Sequence, residues 1–137
     1  MKNQLKRGFT LIEIVIVLAI AALIMVVVFL AVQGAQRSQR DQFRKDTANR
    51  VLSAAVSFKG NSSGVAPANA SALAQYINGG SGTTVTGGGI TLTLDTATAA
   101  PASCAAPGTN NITYAVVSGK DQAFACLEVG TLYTASN

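Results

Sequence analysis

The chain has 137 residues, 49% of them hydrophobic and only 12% charged, with a formal charge of +4, no His, no Trp and two Cys. That length fits one small domain, and the lack of His excludes His-based catalytic triads and His metal sites. Lys2, Lys6 and Arg7 all precede a long apolar run, and without them seven Lys and Arg face six Asp and Glu, which removes most of the basis for electrostatic nucleic-acid binding.

Every residue from Ile14 to Val32 is apolar, so Glu13 is a lone carboxylate at the head of a membrane-length segment. Phe9 to Val32 makes about 36 Å of helix, enough to cross a hydrocarbon core of about 30 Å. A secretory signal peptide is the plain alternative. Its apolar region runs only about 7–15 residues before an A-x-A-like cleavage site, and Val32-Gln33-Gly34 is a poor candidate for one. An ionised group deep in such a helix costs roughly 2.5–3.5 kcal/mol on insertion scales, so Glu13 reads as a functional group with a partner to be found.

The run Lys6-Arg7-Gly8-Phe9-Thr10-Leu11-Ile12-Glu13 resembles the processing site of the type IV pilin and pseudopilin family. The resemblance implies a basic leader, residues 1–8, removed by a prepilin peptidase that cuts between Gly8 and Phe9 and methylates the new amino group of Phe9. It further implies that Glu13 and the Phe9 amino group of a neighbouring subunit form an assembly charge pair. The implied fold is α+β: a long amino-terminal helix, transmembrane in its first half, packed on a small antiparallel sheet. The implied function is that of a filament subunit, a helical homo-oligomer built from a bilayer-stored precursor by membrane assembly machinery, with host surfaces or DNA as ligands of the fibre. A single-pass inner-membrane precursor with its head outside would become a cell-surface pilus serving adhesion, motility or DNA uptake. A minor pilin, or a pseudopilin of a type II secretion or competence system, is the alternative. Neither reading is enzymatic, and neither calls for a cofactor. Two departures stand out: where many pilins carry a helix-breaking Gly and Pro, this chain has Ala22 and Leu30.

On this reading residues 9–32 form the transmembrane and filament-core helix, and residues 33–59 its amphipathic continuation. Phe43, Thr47, Val51, Ala55 and Phe58 share one helical face. Arg37/Asp41, Asp41/Lys45 and Asp46/Arg50 stand at i, i+4 on the other side, each pair stabilising by about 0.2–0.5 kcal/mol and mainly keeping that face in water. Subunit contacts in a filament are the sharper alternative for these charges. Lys59-Gly60 and the Asn and Ser that follow punctuate the helix end.

Residues 60–137 then form a globular head. Asn69 or Ser71 caps a brief helix through Tyr76 and Ile77, and beyond Gly79-Gly80 strands are predicted over 83–86, 90–94, 112–117, 123–129 and 131–134. Gly87-Gly88-Gly89, residues 108–111 and residues 118–121 are the turns. Positive charge is balanced across the apolar span, but Cys104 and Cys126, a single pair without C-x-x-C spacing, favour a structural disulfide in an oxidising compartment, which sets the head outside. A free buried pair is the alternative. The disulfide would contribute on the order of 3 kcal/mol, and it resembles the carboxyl-terminal loop closure of many type IV pilins. Asp121 and Glu128 are close enough in sequence to meet across a hairpin, although solvated surface charge is the simpler reading and no metal site is expected. Three glycosylation sequons, at Asn61, Asn69 and Asn111, fit chance in a chain rich in Asn, Ser and Thr.

Overall fold

The computed structural model describes residues 8–78, 82–104 and 106–137. The leader charges Lys2, Lys6 and Arg7 and the Gly79-Gly80 break lie outside the described residues. Helix α1 spans Leu11–Asn61, and the chain divides after Gln36 into two compact units.

The first unit is the apolar part of α1. Its large apolar side chains lie open, with Leu11, Leu23, Met25 and Phe29 all exposed. By length and composition the helix can cross a membrane. It passes through Ala22 and Leu30 without interruption, as residues of good helix propensity allow.

The second unit, Arg37–Asn137, is a sheet laid on the remainder of α1. Arg44, Thr47, Ala48, Val51, Ala54 and Ala55 are the buried residues of the helix, a stripe with the three- and four-residue spacing of one helical face. Phe43 and Phe58, expected on the same face, flank it half-buried. The helix outlasts its expected end at Lys59-Gly60. Gly60 stays helical, and the left-handed residues are Ser63 and Gly64, where the Gly64 amide donates to the Lys59 carbonyl at 2.8 Å as a carboxyl-terminal cap. Helix α2, Ala70–Asn78, starts where Asn69 Oδ1 accepts the Ala72 amide at 3.0 Å, so Asn69 and not Ser71 is the cap.

Five strands follow: β1 Thr84–Gly87, β2 Ile90–Ala97, β3 Asn111–Val117, β4 Lys120–Cys126 and β5 Leu132–Ser136. They lie side by side in chain order, and all pairs are antiparallel except β2 with β3. The parallel pair is a departure in detail from the expected antiparallel sheet. Residues 98–110 carry the chain back to the starting end of β2, the long crossover that parallel neighbours require. Strand β4 also begins earlier than expected. The β3–β4 turn is only Ser118-Gly119, both with positive φ, the backbone of a two-residue hairpin loop. Asp121 consequently belongs to the strand, and its side chain alternates onto the core face with Ala123 and Ala125. That face, with Leu92, Leu94, Ile112, Tyr114 and Leu73 of α2, makes the core. Ala115 and Phe124 are buried on the opposite face, where Pro101, Ser103 and Thr109 of the crossover line a cavity of about 110 Å³ beside Phe124.

Candidate processing and assembly site

Four residues at the start of α1 carry the motif's chemistry. Gly8 stands in open space: a Cβ there would meet nothing within 4 Å. Its lack of a side chain therefore serves no packing need among the described residues, and the residue suits a reader that must approach the backbone closely. Phe9 follows, 80% exposed. Thr10 is the amino-terminal cap of α1, its carbonyl accepting the Glu13 and Ile14 amides at 3.1 and 3.4 Å. Glu13 turns back on this cap: its Oε2 lies 3.5 Å from the Thr10 amide and 3.3 Å from the Thr10 hydroxyl, both of which donate. The spacing T-x-x-E is that of a capping box, in which the third-position carboxylate satisfies the cap's own N–H. Sequence reasoning singled out Glu13 and overlooked Thr10, although the four-residue pattern was there to read.

Within the head, cysteines 104 and 126 are joined by a disulfide, with Cα atoms 5.6 Å apart. The bond ties the crossover to the end of β4. Beside it lies an ion cluster that the expected solvated helix face did not anticipate. Arg44, 1% exposed, donates from Nη1 to Asp41 Oδ1 at 3.1 Å and Glu128 Oε1 at 3.0 Å. From Nη2 it donates to the Gly108 carbonyl at 3.0 Å and Asn110 Oδ1 at 3.1 Å. Arg40 Nε reaches the same Glu128 oxygen at 3.0 Å, and the Glu128 amide donates to Asp41 Oδ1 at 2.9 Å. The hydrogen bond from Arg44 is the main influence holding the Glu128 carboxyl below the usual carboxylate range; partial desolvation opposes it and Arg40 assists. Among the charge pairs expected at i, i+4, Asp46–Arg50 forms, at 2.9 Å, whereas Asp41 turns to Arg44.

A second cluster sits at the other end of β4. Lys59 Nζ donates to both Asp121 oxygens, at 3.2 and 3.0 Å, and the Tyr114 hydroxyl donates to Oδ1 at 2.6 Å. Burial, then the adjoining Asp121 carboxylate, pushes the Tyr114 hydroxyl far above its ordinary pKa. Asp121 and Glu128 therefore do not meet, and neither is a free surface charge. Each closes its own cation-bearing cluster between α1 and the sheet. Among the described residues no three His, Cys, Asp or Glu side chains gather to hold a metal ion.

Residues 3–29 match the family model of the prokaryotic N-terminal methylation motif, a stretch that contains Gly8, Phe9, Thr10 and Glu13 and most of the apolar run. The chain carries a type IV pilin-like prepilin motif. With the motif go a long amino-terminal helix and a mostly antiparallel five-stranded sheet, a pilin-like α+β arrangement. No curated protein and no solved structure matches the chain. The motif thus speaks for the amino-terminal helix, and the pilin-like head rests on its own topology.

Proposed function

We propose that this pilin-like chain is the structural subunit of a type IV pilus, stored in the inner membrane, cleaved after Gly8, methylated at Phe9 and polymerised through residues 9–32. Residues 33–59 and 60–137 then form the helix continuation and the outward-facing head. The observation that carries this reading is Glu13: one carboxylate at the head of the exposed apolar run from Ile14 to Val32, four residues after the point where cleavage creates an amine. In the precursor Thr10 supplies the carboxylate with local hydrogen bonds, which lessens the cost of holding it in lipid. After cleavage, Glu13 faces the Phe9 amine of a neighbouring copy. At 4 Å and an effective dielectric of 20 that attraction is about 4 kcal/mol before desolvation is subtracted. Apolar packing brings the helices together, and the charge pair sets their register.

The disulfide-tied crossover supports a pilus subunit over a secretion pseudopilin, and the filament would act in adhesion, motility or DNA uptake. The decisive experiment is electron microscopy of sheared surface material with mass spectrometry of its main protein. Filaments whose subunit begins at N-methylated Phe9 are the expected result. An unpolymerised membrane protein that retains residues 1–8 would overturn the reading.

A further inference from the structure

Arg44 is the most deeply buried charge of the head, and the origin of its acceptors is the informative point. Asp41 belongs to its own helix. Gly108 and Asn110 belong to the crossover, and Glu128 to the β4–β5 turn. Those two segments are joined by the Gly108 amide donating to the Leu127 carbonyl at 2.9 Å and by the disulfide. Cys104 stands four residues before Gly108, and Cys126 two residues before Glu128. One covalent bond therefore brings together both sets of acceptors that the guanidinium needs from outside its helix.

We propose that Arg44 senses the redox state of Cys104 and Cys126: its guanidinium docks only when the disulfide holds the crossover against the β4–β5 turn, and it stays in water when the two thiols are reduced. A simple staple acts on the unfolded chain and favours every part of the head alike. Arg44 adds a local penalty. With Gly108, Asn110 and Glu128 no longer held together, burying the guanidinium leaves it short of acceptors, a defect that shifts a folding equilibrium by about a hundredfold or more. Its Nε already lacks a partner in the docked state, so no spare hydrogen bond makes up the loss. The reduced head would keep its Arg40–Arg44 segment detached from the sheet.

Closure requires a disulfide-bearing oxidant, either a protein or a small thiol compound. One cysteine thiolate attacks an oxidant sulfur and expels the other as thiolate. The second cysteine thiolate then attacks the mixed disulfide, forms the Cys104–Cys126 bond and releases the second thiolate. Two electrons pass from the cysteines to the oxidant, and the two cysteine protons leave to solvent or to the released thiolates. The inference concerns the head alone and does not depend on polymerisation.

The test uses the full chain in detergent micelles. Urea unfolding is compared with and without dithiothreitol for the wild type and Arg44→Met, which keeps an aliphatic stem and removes the charge. Reduction should raise the wild-type unfolding constant by about tenfold or more beyond its effect on the variant; equal effects would overturn the proposal. Amide hydrogen exchange on the reduced wild type decides independently of whether the variant folds. The Gly108 and Glu128 amides should lose protection before those of Leu94 and Ile112, and uniform loss would count against a sensor.

Discussion

A side chain's surroundings determine which single atoms the head can tolerate. At the tip of the β1–β2 hairpin, Gly88 and Gly89 take positive φ, while Gly87 lies where an added Cβ would collide with the Phe43 ring. The glycine run is thus both a turn and a contact surface for α1. Gly87→Ala should displace Phe43 and destabilise the head by about 1–3 kcal/mol, the usual cost of overpacking, measured as a lower urea midpoint. Glu128 makes a prediction in pH. Its folded-state carboxyl titrates below its unfolded value, with Arg44 the main cause, so its stabilising contribution is complete above the unfolded pKa of about 4.3 and is lost as pH falls through the folded value. Urea midpoints taken between pH 6 and pH 3 should fall less steeply in Glu128→Gln than in the wild type. An identical slope would mean that Glu128 contributes nothing to acid sensitivity.

At the level of elements, helix α2 tests the role of a cap. With nine residues, it is too short to form without help, since isolated helices below about 12–15 residues are marginal in water. Asn69→Ala removes the acceptor of the Ala72 amide and should cost about 1 kcal/mol, with hydrogen exchange at Ala72 accelerating more than at Leu92 in the sheet. The same elements show what the sequence could reveal. Apolar continuity marked the first part of α1, and the alternation of Ile90, Leu92 and Leu94 marked β2, because each is a local periodic signal. The glycine turns were legible from local composition, and a cap at Asn69 or Ser71 was expected, the choice between them falling to the structure. The parallel β2–β3 pair was not, since strand direction depends on where the crossover runs, and no residue within either strand encodes it. Asp121 was misread as a turn residue because Ser118 adopts positive φ, which shortened the hairpin loop to two residues. Arg44 was missed for a different reason. Its i−3 relation to Thr47 and i−7 relation to Val51 place it on the buried stripe, but a charged residue is read as solvated until its acceptors beyond its own helix, 64 to 84 residues away in sequence, are known.

For the whole molecule, the processing motif and the head place separate demands on one chain. The head is held by its own core, disulfide and two ion clusters, none of which involves the apolar residues up to Gln36. Substitutions in the motif should therefore alter assembly and leave the head's stability unchanged. Glu13→Gln separates the two roles assigned to that side chain, since the amide oxygen still accepts hydrogen bonds from Thr10 while the charge that would attract a neighbour's amine is gone. Membrane insertion and cleavage after Gly8 should proceed, and the head should unfold at the wild-type urea midpoint. Filament yield should fall by about tenfold or more, because even a net loss of about 1.4 kcal/mol per contact changes an association constant by that factor. Thr10→Val provides the contrasting case: it removes the hydroxyl donor but keeps the carboxylate, so filaments should still form. Quantifying sheared filaments alongside the cleaved precursor for both variants tests the assignment, and wild-type yield from Glu13→Gln would show that the charge pair is dispensable and that apolar packing alone sets the register.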